Sequence, residues 1–224
     1  MKQYAIAIDG PSGAGKSTLA RRLSEELGFL YVDTGAIYRT VGLATRRAGV
    51  DPKDREGVIA LLPGLVIGLE HGEDGLQHML LGGEDVSSAI REPEISMYAS
   101  AVSAIPEVRA FLMEQQRGLA RIHNVIMDGR DIGTVVLPNA DLKIFLTATP
   151  EARAERRWKE LKKKGMEEPF EKVLAEIQER DYNDSHRAAA PLKQAEDAVY
   201  FDSTEYTLDE VTARLLDIIK ENWN

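Results

Sequence analysis

The sequence predicts an α/β fold in three layers, with a parallel central sheet between layers of helices. Three observations carry that prediction. Short apolar, β-branched runs of strand length alternate with longer stretches of helical periodicity along the 224 residues. The first such run opens into a glycine-rich loop and then a helix. Between residues 63 and 91 the alternation gives way to short strands separated by turn residues, which reads as an insert within one domain spanning 1–224.

The opening strand is the apolar run at 4–8. Gly10-Pro11-Ser12-Gly13-Ala14-Gly15-Lys16-Ser17 follows at once and fits G-x-x-x-x-G-K-[ST]. A helix is expected over 18–27, with Leu19, Leu23 and Leu27 at helical spacing. Strand, glycine loop and helix together make a phosphate loop. Glycines let the backbone wrap closely round a phosphate so that several N–H groups point inward. The helix N-terminus adds favourable partial charge. Lys16 is expected to reach the β and γ phosphates of a nucleoside triphosphate, and the Ser17 hydroxyl to sit on Mg²⁺.

Residues 29–32 are a second apolar run, ending in Asp33-Thr34-Gly35, and a helix is expected over 36–48, stopped by Gly49 and Asp51-Pro52. A short helix over 54–62 closes at Pro63-Gly64. Runs at 65–69 and 76–81 flank His71-Gly72-Glu73-Asp74-Gly75, a hairpin signal, and residues 82–86 give a further turn and short strand. These make residues 63–91 the core of the insert. Helices follow at 94–104 and 107–122, the second started by Pro106. A buried strand at 125–127 runs into Asp128-Gly129-Arg130-Asp131. A strand at 143–147, a charged helix at 150–164, a helix at 170–183, a strand at 198–201 and a closing helix at 208–222 complete the chain.

Composition narrows the function classes. With no cysteine, a disulfide framework, a thiol nucleophile and a cysteine zinc site are all excluded. A net charge of −9 argues against broad nucleic-acid binding. No leader pattern and no apolar run of membrane-spanning length is visible, so a cytoplasmic protein without membrane contact is expected. Lys162-Lys163-Lys164, the one basic run, reads as a solvated helix end. Nothing calls for an oligomer, and a monomer is expected.

In an open α/β sheet, ligands bind beyond the carboxyl ends of the strands. Asp33, Thr34, Asp128, Arg130 and Asp131 fall there. Arginines recur nearby. Arg39 lies one turn into the helix after Asp33. Arg153, Arg156 and Arg157 share a helix face at i, i+3, i+4, and Arg180, Asp184 and Arg187 follow i, i+4, i+7. An alcohol acceptor would want a general base. A phosphate monoester, with a second pKa near 6, is already nucleophilic at neutral pH. Its difficulty is electrostatic, since at 4 Å two unit charges interact by about 4 kcal/mol at an effective dielectric of 20. Arginine suits that task, because its planar fork grips phosphate bidentately and keeps its charge. The arginine pattern therefore favours a phosphate acceptor.

The chain resembles the bacterial cytidylate kinases over nearly its whole length. The segments that carry the resemblance are IAIDGPSGAGKST, DTGAIYR at 33–39, GEDVSSAIR at 83–91, DGRDIGTVVLPNADLKIFLTA at 128–148, RAERR at 153–157 and ERDYNDSHRAAAPL at 179–192. The resemblance implies phosphoryl transfer from ATP to CMP or dCMP in pyrimidine metabolism, with Mg²⁺ bound alongside ATP. It implies that Gly10, Pro11, Ser12, Gly13, Ala14, Gly15, Lys16, Ser17 and Thr18 hold ATP. Arg39 and Arg130 would grip the monophosphate, and Thr34 would line its pocket. Ser100, Arg109 and Asp131 would read the cytosine, Arg180 and Asp184 would contact the sugar, and Arg187 would lie near the phosphates. Arg153 and Arg157 would come from a lid, residues 150–190, that closes over ATP. Lys16, Arg130, Arg153, Arg157 and Arg187 would act in catalysis. The chain carries Ser17 where that family often has glycine, and Tyr182-Asn183 where a more acidic pair is usual. Two other readings compete: a kinase for UMP, AMP or a hydroxyl acceptor on the same scaffold, and a nucleotide-driven switch. The base-reading set speaks against the first, and the lack of a guanine-reading N-K-x-D segment against the second.

Overall fold

The computed structural model describes residues 2–72 and 75–223. The chain divides into two compact units, one made of residues 1–31 and 122–224, the other of residues 32–121.

The first unit holds the central sheet. Its elements are β1 (Ala5–Asp9), α1 (Lys16–Leu27), β6 (Val125–Gly129), β7 (Leu142–Thr147), α6 (Pro150–Lys163), α7 (Phe170–His186), β8 (Val199–Asp202) and α8 (Leu208–Trp223). β2 (Leu30–Asp33) runs across the boundary and forms an edge of the sheet, whose order is β2-β6-β1-β7-β8. β1 pairs in parallel with both β6 and β7, and β7 with β8. The strands are short and apolar because both faces are covered. Ile6, Ile8, Ile126, Ile144 and Leu146 pack against Leu19 and Leu23 of α1 and against Val211, Leu215 and Ile219 of α8. This order sets β1 centrally, with β6 and β7 on either side, so that the loops leaving their carboxyl ends meet.

The stretch after β6 holds a turn that periodicity does not announce. Ile132–Val136 forms a single π-helical turn, a form found disproportionately at functional sites. α6 and α7 form a helical hairpin with a small core of its own. Ala154, Leu161, Val173 and Ile177 are buried there, and Trp158 meets Phe170 edge-on at 6.3 Å. α7 runs three residues beyond the expected 183, which puts Arg180 and Asp184 on one continuous helix and leaves Arg187 as its C-cap.

The second unit contains α2 (Thr34–Arg47), α3 (Arg55–Leu61), an antiparallel sheet of β3 (Ile67–His71), β4 (Gln77–Leu81) and β5 (Glu84–Asp85), then α4 (Pro93–Val102) and most of α5 (Pro106–Ile122). Glu73 and Asp74 of the expected hairpin turn lie outside the described residues. β3 starts two residues later than the apolar run at 65–69 implies, because a 3-10 turn over Leu62–Gly64 uses Leu65 N–H to close on Leu62 O. Asp33 caps α2 and Asp54 caps α3, each accepting a backbone N–H three residues on. No helix among the described residues is long and apolar enough to cross a membrane.

Candidate active site

In the first unit the site begins where β1 ends. Gly10 has φ +149, and a Cβ there would stand 1.9 Å from Leu146 O, so only glycine lets the chain turn beside β7. The loop closes at Gly15, whose left-handed conformation starts α1 with no side-chain cap. The first N–H groups of α1 therefore face the loop without a side-chain acceptor, the arrangement that binds anions. Lys16, the first helical residue, reaches back so that Nζ donates to Pro11 O at 2.7 Å. It is 5 % exposed. Burial, reinforced by the charge of Arg130, pushes its ammonium well below the usual lysine range, while Asp128, Asp184 and Asp9 pull the other way.

Ser17 Oγ donates to Asp128 Oδ2 at 2.9 Å, and Tyr31 Oη donates to Asp128 Oδ1 at 2.9 Å. Asp128 is buried at the carboxyl end of β6. A hydroxyl and a carboxylate side by side are hard oxygen donors, and they fit a hard divalent cation brought in with a polyphosphate.

Asp9 was not singled out by its sequence context, yet it organises the next loop. Its Oδ1 and Oδ2 accept Ile132 N–H and Gly133 N–H, each at 2.7 Å, at the start of the π turn. Burial pushes its carboxyl up to about 6, against those two bonds. Its place at a strand end is the signal that could have found it, the same signal that marks Asp128. The sign of the linkage is unusual for a carboxylate. A folded pKa above the usual 3.8 means that the native state holds the proton more tightly than the unfolded one. Asp9 alone should therefore make the fold more stable as pH falls from about 6 to about 4, by about 3 kcal/mol in all. Thermal unfolding of Asp9→Asn across that window should lack this component. Parallel Tm–pH curves for the two proteins would rule it out.

Arg130, Arg187 and the three arginines of α6 each have a partner. Arg130 Nε donates to Asp184 Oδ2 at 2.7 Å. Arg187 Nη2 donates to Asp131 Oδ1 at 3.2 Å and its Nε to Ala190 O at 2.7 Å, where Ala190 takes a left-handed φ of 48°. The three arginines of α6 do not act as one cluster. Arg153 is 3 % exposed; it donates to Ala148 O, to Ser12 O at 3.0 Å, and through both Nη atoms to Asp181 at 2.9 and 2.6 Å. Arg156 turns to Ser203 O at 2.7 Å, and Arg157, half-buried, pairs with Glu160 at 3.4 Å. Helical spacing put the three on one face, but tertiary partners separate them.

The second unit holds the remaining expected site residues. Thr34 is buried at the start of α2. Arg39 Nη2 donates to Asp33 Oδ2 at 3.0 Å. Arg109 is buried, lies over the Tyr38 ring at 5.5 Å from its centroid, and donates to Ser103 O at 3.3 Å. Ser103 Oγ donates in turn to Ser100 O at 2.9 Å. Ser100 and Arg109 are thus tied through Ser103, which the sequence did not mark.

Comparison with known proteins fits this geometry. The family described as "Cytidylate kinase" matches residues 6–221. A cytidylate kinase of Caldicellulosiruptor bescii is 51% identical over 218 residues, covering 97% of this chain and 96% of the relative. One of Syntrophotalea carbinolica is 49% identical over 220 residues, covering 98% and 93%. A solved crystal structure of an uncharacterized protein from Eubacterium ventriosum has a TM-score of 0.51 at 13% identity, covering 98% of this chain and 99% of that one, a likeness of fold alone. With the match running from β1 into α8, the chain belongs to the cytidylate kinase family.

Proposed function

We infer that the protein transfers the γ-phosphoryl group of ATP to CMP or dCMP, giving ADP and CDP or dCDP by direct in-line displacement. The observation that carries this reading is the glycine loop that ends at the uncapped N-terminus of α1, with buried Lys16 folded back over it, in a chain that the cytidylate kinase family matches over residues 6–221. Backbone N–H groups and a lysine gathered at a helix N-terminus suit a polyphosphate donor.

An acceptor hydroxyl is disfavoured by what the carboxylates do. Asp9 holds backbone N–H groups, Asp128 holds Ser17 and Tyr31, Asp131 holds Arg187 and Asp184 holds Arg130. Each has a structural task already, which favours an acceptor that needs no base. A phosphate monoester needs none. Lys16 and the α1 N-terminus would hold the transferring phosphoryl group and stabilise its charge. Arg130, Arg187 and Arg39 would orient the acceptor phosphate. Arg153 would steady the loop through Ser12 O, and Arg157 has the freedom to swing towards ATP. Ser17 and Asp128 would hold Mg²⁺. Bound with ATP, that ion would supply positive charge to offset the triphosphate. The three-stranded sheet would belong to the monophosphate-binding part, and the hairpin of α6 and α7 to a lid that excludes water.

ADP production with ATP and Mg²⁺ should be strong on CMP and dCMP, weak on UMP and AMP, and low with no acceptor. Turnover on none of them would overturn the reading. Asp131 is the residue to probe for base choice. Asp131→Ala would strand the guanidinium of Arg187, so Asp131→Asn is the cleaner variant, keeping an oxygen acceptor for it. An amide can donate to the uracil carbonyl where a carboxylate cannot. The ratio of kcat/KM for CMP over UMP should fall by about tenfold or more, with KM for ATP unchanged. Equal losses on both bases would remove Asp131 from base reading.

A further inference from the structure

Every polar group of Asp33 is used, and half of them by one residue of the three-stranded sheet. Oδ1 accepts Ala36 N–H at 2.8 Å, capping α2, and Oδ2 accepts Arg39 Nη2 at 3.0 Å. The backbone N–H of Asp33 donates to Gln77 Oε1 at 2.8 Å, and its carbonyl accepts Gln77 Nε2 at 3.1 Å. β2 is an edge strand, so one side of it has no neighbouring strand. The Gln77 carboxamide supplies to Asp33 the pair of bonds that such a neighbour would make. The amide can be placed only one way round, since the N–H must donate and the carbonyl must accept. A third contact, Gln77 Nε2 to the buried Met79 Sδ at 3.1 Å, locks it further.

The far end of this chain of contacts is Arg39. Its guanidinium lies over the bare backbone of Gly35, where a Cβ would stand 3.1 Å from Asp33 Oδ1 and 3.5 Å from Arg39 Nη1. Asp33 holds one amino group, and Nε is buried with no hydrogen-bond partner. A guanidinium fixed on one side with donors to spare is set for a bidentate anion. If Asp33 were free to turn about its backbone, both carboxylate oxygens would move and Arg39 with them.

We propose that Gln77 is a positioning residue for the acceptor phosphate, acting through Asp33 on Arg39 and so tying the antiparallel sheet to monophosphate affinity. This rests on the reading of Arg39 as a ligand of the CMP phosphate. Gln77 touches no substrate; it fixes the backbone that fixes the carboxylate that aims the arginine.

The test is steady-state kinetics of the full chain, with CMP and ATP varied separately, for Gln77→Leu, Arg39→Ala and the double variant. Removing two neutral hydrogen bonds should raise KM for CMP about tenfold in Gln77→Leu. The value of kcat should stay within about twofold, and KM for ATP should not move. Because the effect runs through Arg39, adding Gln77→Leu to Arg39→Ala should raise KM for CMP by less than about twofold more. Should Gln77→Leu fold poorly, Gln77→Glu keeps an acceptor for the Asp33 N–H, loses the donor to its carbonyl, and should show the same CMP-only rise. An unchanged KM for CMP, equal multiplicative losses in both backgrounds, or parallel damage to kcat and both KM values would overturn the proposal. If Arg39→Ala raises KM for CMP and the Gln77 variants do not, the proposal alone falls. If Arg39→Ala leaves that KM unchanged, the phosphate-ligand reading of Arg39 falls and the proposal with it.

Discussion

Lys16→Met should lower kcat by about 10³-fold, corresponding to about 4 kcal/mol of transition-state stabilisation, while the protein remains folded. The second half of that expectation is the informative one. Lys16 is buried, its ammonium has one carbonyl partner at 2.7 Å, and Arg130 repels it. Its pKa lies below the usual lysine value, so the native state disfavours the charged form. At neutral pH, below the unfolded pKa, that cost to the fold is present, and the contribution improves only as pH rises. Replacing the cation with a thioether of similar length removes the cost and leaves Pro11 O without one donor. Tm should therefore stay level or rise even as turnover collapses, the pattern of a residue kept for function at the expense of stability. Thermal unfolding beside single-turnover kinetics checks both. A Tm lowered by several degrees would mean that Lys16 braces the loop rather than the reaction.

The features legible in the sequence are those that the chain encodes locally. The glycine loop is contiguous, and its flanking strand and helix follow from apolar runs with periods near 2 and 3.6. Strand ends carry Asp33, Asp128, Arg130 and Asp131, and the rule that ligands gather there needs only the strands. Less legible is anything decided by a partner far along the chain. Asp9 matters because of a π turn 123 residues away. That turn has no periodic signature, since Ile132–Val136 reads as a plain apolar stretch. Arg153 shares a spacing with Arg156 and Arg157, but spacing assigns a helix face and not its neighbour. Asp181, 28 residues on, draws Arg153 inward, and Ser203 draws Arg156 away. Gln77 is the first residue of β4, next to His78, and only the fold shows that its carboxamide meets Asp33.

Asp184→Ala should be the most damaging single change to the acceptor side, and it should act on stability and activity together. Asp184 is buried at the end of α7. Burial alone would push its carboxyl up, but the charges of Arg130, Arg180 and Arg187 and the bond from Arg130 outweigh burial and hold it below the usual 3.8. Asp184 thus offsets Arg130 and Arg180 and shares the charge of Arg187 with Asp131. Removing it leaves cations packed together with little water to screen them, a loss of about 3–5 kcal/mol for a buried pair broken on one side. For a chain of this size that is a fall in Tm of about 10 °C. Arg130 would lose the contact that aims it, and kcat/KM for CMP should drop about 10²-fold or more. Asp184→Asn keeps an oxygen for Arg130 Nε without the charge and should fall between the two. The pH dependence follows from the depressed pKa. The stabilisation from Asp184 is present above the usual 3.8 and is lost as pH falls through the lower folded value, so the Asn variant should show a shallower loss of Tm in strong acid. Asp9 works in the opposite sense between about 4 and about 6, and the two carboxylates should therefore separate cleanly in Tm–pH curves of their Asn variants. Wild-type Tm and CMP kinetics in Asp184→Ala would show that the guanidiniums are compensated by other groups.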